Sequence, residues 1–82
     1  MIDVTDEEKS FMKSCNEFKE YGSIDEYIND IRRLLMIGIM PPRFSEKNAN
    51  KLINEELEYI KGDFEQKIDA CACAVNIAYC CG

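Results

Sequence analysis

The 82-residue sequence predicts an all-α fold of four helices. Three observations support this prediction. Apolar residues recur at helical spacing, two segments open with Ser or Thr followed by Glu three residues later, and a glycine follows three of the segments. A chain of this length predicts a single domain, over residues 1–82. We expect two helical hairpins that share one core and are joined by a Pro-Pro crossover.

The first hairpin is predicted from two capped segments. Thr5 and Glu8 have the spacing of a capping box, and Gly22 suits the left-handed position after a helix, so the first helix is placed at about 6–21. Its apolar stripe consists of Phe11, Cys15 and Phe18. Ser23 opens the second helix, at about 24–36, and Gly38 ends it. Its stripe consists of Ile24, Tyr27, Ile28, Ile31, Leu34 and Leu35.

The second hairpin follows a segment that cannot continue a helix, because Pro41 and Pro42 each remove a backbone donor. Ser45 caps the third predicted helix, at about 46–61, and Gly62 ends it. Asp63 opens the fourth, at about 64–79, with a core stripe of Phe64, Ile68, Cys71, Val75 and Ala78. A strand in the alanine- and cysteine-rich tail is the main alternative.

The composition excludes several kinds of chemistry. The chain has no histidine, so imidazole acid–base catalysis, Ser–His or Cys–His nucleophiles and Cys₂His₂ zinc sites are excluded. A net charge of −6 disfavours direct binding to nucleic acid or to an anionic membrane. No apolar run approaches the ~20 residues that span a bilayer. Five cysteines, an odd number, fit a disulfide framework poorly.

The fourth predicted helix is apolar on two sides. Opposite its core stripe lies a second stripe of Ala70, Cys73, Ala74, Ile77 and Cys81. A helix that is apolar all round must be covered everywhere, so this helix is either the central one of the bundle or pairs with a partner through its second stripe. Small residues allow close approach and homodimers are the commonest assembly, so we predict a homodimer through this stripe.

The same tail offers a different kind of site, made of the four thiols of Cys71, Cys73, Cys80 and Cys81. Four thiolates suffice for zinc or an iron–sulfur cluster. The spacing is unfavourable, because Cys71 points away from Cys73 and Cys80 on a helix. We therefore predict no metal and no cofactor, and keep a thiolate metal site or a redox sensor as the alternative.

Glu56 is the one carboxylate within an apolar stripe, on the line of Ala49, Ile53 and Ile60. A carboxylate there is either paired or able to reach water at the edge of the stripe. We predict an ion pair that locks two helices, with Arg32, Arg33 or Arg43 as its partner. No second group suited to acid–base catalysis is evident, so no catalytic residue is assigned.

Together these features predict a small acidic cytoplasmic protein that is not an enzyme. The expected role is a helical interaction or regulatory module that forms a homodimer through the fourth helix. Its further protein partner is not indicated by any motif, and neither nucleic-acid binding nor membrane association is expected. An acidic inhibitor that mimics nucleic acid is a further alternative, although lysines interleave with the acidic clusters.

Overall fold

The computed structural model describes residues 5–39 and 43–81, without the side chains of Cys80 and Cys81. These residues form five helices and no strand: α1 (Asp6–Ser14), α2 (Ile24–Ile37), α3 (Glu46–Glu55), α4 (Leu57–Glu65) and α5 (Ala70–Cys81). The all-helical prediction is confirmed, and the alternative of a strand in the tail is excluded for the described part of the chain. The crossover at Pro41 and Pro42 lies outside the described residues, and the arrangement of two hairpins is not confirmed.

Two of the predicted helix starts are present in full. Thr5 Oγ1 accepts from the backbone N–H of Glu8 at 3.1 Å, while Glu8 Oε1 accepts from the N–H of Thr5 at 3.0 Å, which completes the capping box of α1. Ser45 Oγ accepts from the N–H of Asn48 at 3.2 Å and caps α3. Ser23 makes no such bond at the start of α2.

The first predicted helix was too long, because α1 ends at Ser14 rather than near residue 21. The chain then crosses from α1 to α2 without regular structure. Here Phe18 and Tyr21 turn onto Tyr27 of α2, with ring centroids 6.0 and 5.3 Å from the Tyr27 ring, and Phe64 of α4 lies 5.3 Å from the same ring. The packing of these aromatic rings overrides the helical pattern of the sequence.

The second half of the chain is divided differently from the prediction. The third predicted helix breaks at Glu56, whose φ of −106° and ψ of 20° separate α3 from α4. Gly62 does not end a helix, because α4 continues through it to Glu65. The chain leaves the helix at Lys67, where φ is 59°. Asp63 is therefore not the cap of the last helix: Asp69 Oδ2 accepts from the N–H of Ala72 at 2.9 Å and caps α5.

The core is built around α2, which packs against α3, α4 and α5. Its fully buried side chains include Tyr27, Ile31, Leu34 and Leu35. Burial of each such side chain contributes roughly 1.5–3 kcal/mol. The Tyr27 hydroxyl, a polar group in this core, donates to the carbonyl oxygen of Ile68 at 2.8 Å. No polar or charged residue among those described is buried as a whole.

Candidate functional site

The orientation of α5 decides which residues can meet a partner. Ala70, Cys73 and Ala74 are fully buried and Ile77 is 1% exposed, so the stripe that we predicted to face a partner faces the core instead. The side chain of Cys81, the fifth member, lies outside the described residues. The assignment of the two stripes was therefore reversed, and these residues form no surface in the folded chain.

The solvent side of α5 carries a different set of residues. Tyr79 is 73% exposed, Asn76 is exposed, and Ala72 and Val75 are half-buried. These four residues lie at positions i, i+3, i+4 and i+7, which share one side of a helix. We call them the outer face of α5. Since α5 contains no charged residue, the outer face is an uncharged strip on a protein in which 32% of the residues are charged.

Cys73 is a core residue rather than a reactive thiol. Its side chain is fully buried. Burial, together with the nearby carboxylate of Asp63, raises the pKa of the Cys73 thiol to about 12. A thiol with such a pKa is protonated at neutral pH, so it is neither a nucleophile nor a ready metal ligand. It acts as a small apolar side chain.

The thiols predicted as alternative metal ligands do not come together where the structure describes them. Cys73 points into the core, whereas Cys71 is half-buried and lines a groove beside α1. Within residues 5–39 and 43–81, no group of three potential metal-ligating side chains is close enough to hold an ion. The side chains of Cys80 and Cys81 lie outside the described residues.

A polar cluster at the end of α1 was not predicted from the sequence. Asp30 Oδ2 accepts from Tyr21 Oη at 2.8 Å and from Lys19 Nζ at 3.1 Å, and the Cys15 thiol lies 4.0 Å from the same oxygen. Lys19 Nζ is 3.8 Å from Cys15 Sγ. Burial raises the pKa of Cys15 and the Lys19 ammonium opposes that rise.

This cluster is tied to α5 through the backbone. The N–H of Cys71 approaches the carbonyl oxygen of Cys15 at 3.4 Å, so the C-terminal end of α1 meets the first turn of α5. Beside this contact lies an open groove of about 330 Å³, lined by Lys9, Met12, Lys13, Asn16, Ile39 and Cys71. No sequence signal indicated this juxtaposition, because the two cysteines are far apart along the chain and Cys15 resembles any other apolar stripe residue.

The ion pair predicted for Glu56 stays a prediction. Glu56 is half-buried at the break between α3 and α4. Arg32 donates to the side-chain oxygens of Asn29 and Asn50, and the Arg33 guanidinium lies 4.2 Å from the centre of the Phe11 ring. Lys19 and Asp30 form an ion pair that joins the segment after α1 to α2. Arg43, the third predicted partner, is an exposed residue ahead of α3.

Comparisons with known proteins assign no family to this chain. No protein family matches it, no curated protein is similar to it, and no solved structure resembles it. Among the described helices, none is both long and apolar enough to cross a membrane. The features that bear on function are the outer face of α5 and the thiols near α1.

Proposed function

We propose that this protein is a non-catalytic helical interaction module that forms a homodimer through the outer face of α5. The observation that carries the proposal is the uncharged outer face of α5, on which Asn76 and Tyr79 are exposed and Ala72 and Val75 are half-buried. A cytoplasmic location and a regulatory role through further protein partners belong to the same proposal.

Charge favours a second copy as the occupant of this face. Each chain carries a net charge of −6, so two copies repel each other wherever their charged surfaces meet. Among the described helices, α5 alone has no charged residue. Contact through α5 is therefore the approach that brings the fewest like charges together.

The spacing of the outer face suits an antiparallel pair of helices related by a two-fold axis. In such a pair each residue meets its mirror position about the centre of the face, which lies between Val75 and Asn76. Tyr79 of one copy then lies over Ala72 of the other, so the largest side chain of the face meets the smallest. By the same symmetry, Asn76 of each copy lies over Val75 of the other, close to the axis.

The size of the face sets the expected affinity. The 12 residues of α5 span roughly 18 Å at the rise of an α-helix. One face of such a helix buries less than the ~800 Å² per partner of a standard interface. We therefore expect a weak dimer whose population depends on concentration.

The test is sedimentation equilibrium over a range of protein concentrations under reducing conditions. Val75→Glu places one carboxylate per chain, and so two per interface, close to the two-fold axis. We expect this substitution to weaken dimerisation at least about tenfold, since a buried unpaired charge costs several kcal/mol. Tyr79→Glu is a second variant, and because Tyr79 is 73% exposed we expect this substitution to leave folding intact.

The matched control is Met36→Glu, which replaces an exposed apolar residue of α2 by the same charge. It should leave the dimer unchanged, provided that far-UV circular dichroism shows all variants to be folded. A wild-type chain that stays monomeric at millimolar concentration overturns the proposal. So does a dimer that tolerates both Val75→Glu and Tyr79→Glu.

A further inference from the structure

We infer that Cys71 and Cys15 form a thiol pair that an anionic low-molecular-weight disulfide, such as oxidised glutathione, converts into an intramolecular disulfide. Cys71 is the residue that meets the small disulfide, and Cys15 is the residue that displaces it. The inference rests on the position of the two cysteines and on the groove beside them, and it is independent of the proposed dimer.

The backbone brings the two cysteines within bridging distance. The N–H of Cys71 lies 3.4 Å from the carbonyl oxygen of Cys15. Standard backbone dimensions then place the two Cα atoms about 5–7 Å apart. Disulfides span Cα separations of roughly 4.4–6.8 Å, so little backbone movement is needed to join these residues.

The groove determines which cysteine reacts first. Cys15 is fully buried, whereas Cys71 is half-buried and lines the open groove of about 330 Å³. Lys9 and Lys13 line the same groove and are themselves exposed. Their ammonium groups attract the carboxylates of an anionic disulfide.

The polar cluster around Cys15 suits the second step. The Cys15 thiol lies 3.8 Å from Lys19 Nζ, whose positive charge stabilises the thiolate once it forms. Burial and the Asp30 carboxylate raise the pKa of the Cys15 thiol, and the Lys19 ammonium opposes that rise. Formation of the bridge requires the Cys15 side chain to rotate away from Asp30.

The chemistry balances in two exchanges. The Cys71 thiolate attacks one sulfur of the small disulfide, a mixed disulfide forms, and one small thiolate leaves and takes up a proton. The Cys15 thiolate then attacks the sulfur of Cys71 and expels the second small thiolate, which is protonated in turn. Two protein thiols are oxidised, one small disulfide is reduced to two thiols, and the protein loses two hydrogens.

The Cys15–Cys71 disulfide would link α1 covalently to the core of the described chain. No residue of α1 itself is buried, and its C-cap residue Cys15 joins it to the core. Cross-linking Cys15 to Cys71 closes a loop that contains α2, α3 and α4 and fixes the end of α1 on α5. Oxidation should therefore raise the melting temperature, and reduction should return it to its original value.

The test uses a Cys80→Ser, Cys81→Ser background, which removes the two neighbouring thiols. After incubation with oxidised glutathione, trypsin cuts after Lys13, Lys19 and Lys67 and releases peptides 14–19 and 68–82. We expect mass spectrometry to find these two peptides linked, with fragmentation placing the bond at Cys71. Cys71→Ser should abolish the link, and Cys15→Ser should leave glutathione attached to Cys71.

Two further comparisons use a cationic disulfide and a variant that lacks the two lysines of the groove. Cystamine, a cationic disulfide, should react several-fold more slowly than oxidised glutathione, and Lys9→Gln with Lys13→Gln should remove that preference. The inference is overturned if glutathione stays on Cys71 while Cys15 is intact, if the link joins Cys15 to Cys73, or if cystamine reacts as fast. Circular dichroism of each reduced variant shows that a lost link does not result from unfolding.

Discussion

The orientation of α5 makes a prediction that two alanine substitutions can test. Ile77 is 1% exposed and packs in the core, whereas Val75 is half-buried on the outer face. Ile77→Ala removes three buried carbon atoms and leaves a cavity, which costs about 2–5 kcal/mol. Val75→Ala removes two partly hydrated carbons and should cost less than ~1 kcal/mol.

These magnitudes are measurable against the stability of the whole chain. A domain of 82 residues has a free energy of unfolding of about 4–12 kcal/mol. A loss of about 3 kcal/mol therefore leaves Ile77→Ala mostly folded but lowers its melting temperature by roughly 12–24 °C. Ile77→Asp, which buries a carboxylate with no partner, should unfold the chain altogether.

The assay is urea unfolding followed by circular dichroism in the far ultraviolet. Protein concentration is kept low so that dimerisation does not add to the measured stability. The unfolding slope should be equal in wild type, Ile77→Ala and Val75→Ala, so that midpoints can be compared directly. If Val75→Ala costs more than Ile77→Ala, α5 does not bury the side that carries Ile77.

Two other predictions concern pH and a helical glycine. The pKa of the Cys73 thiol is about 12 in the folded chain and near 9 in the unfolded chain, so the unfolded chain loses this proton first as the pH rises. The free energy of unfolding should therefore fall as the pH rises from 9 to 12. Urea midpoints should fall over that range, and less steeply in Cys73→Ala. Gly62 lies within α4, and no neighbouring group lies within 4 Å of the position that a Cβ would occupy, so Gly62→Ala should raise the unfolding free energy by about 0.5–1 kcal/mol. A lower melting temperature for Gly62→Ala would contradict this.

Local signals in the sequence predicted the helix starts well. The capping box of Thr5 and Glu8 and the cap at Ser45 depend on residues within one turn, so spacing alone identifies them. The helix ends were predicted less well. Glycine ends α2 at Gly38, where φ is 92°, but Gly62 is simply a helical residue. A glycine permits the left-handed conformation without requiring it, and the turn after α4 uses Lys67 instead.

The orientation of α5 could not be predicted, for a related reason. The predicted core stripe began at Phe64 and assumed one continuous helix from there to residue 79. In the structure α4 ends at Glu65 and a new helix begins at Ala70. Helical positions counted from Phe64 therefore do not tell which side of α5 is buried. Since α5 is uncharged on all sides, its own residues contain little information about which side is buried.

The polar cluster of Cys15, Lys19 and Asp30 shows a further limit of sequence reasoning. Cys15 and Lys19 are spaced as if on one helix, but α1 ends at Ser14 and the lysine reaches back to the thiol from irregular backbone. Asp30 arrives from α2, and Cys71 from α5. Only tertiary packing brings these groups together, so no spacing rule along the chain could have found them.

The composition of α5 is explained by three different surroundings on three sides of one helix. The core side needs small apolar residues, because α5 packs closely against α2, and it uses Ala70, Ala74 and a thiol that burial keeps protonated. The side next to α1 holds Cys71 in a groove with two lysines, where a thiol can meet a small molecule. The outer side is left uncharged although Asn76 and Tyr79 are exposed to solvent in the isolated chain. Solvation gives no reason for that, whereas contact with a second copy of a chain of charge −6 does.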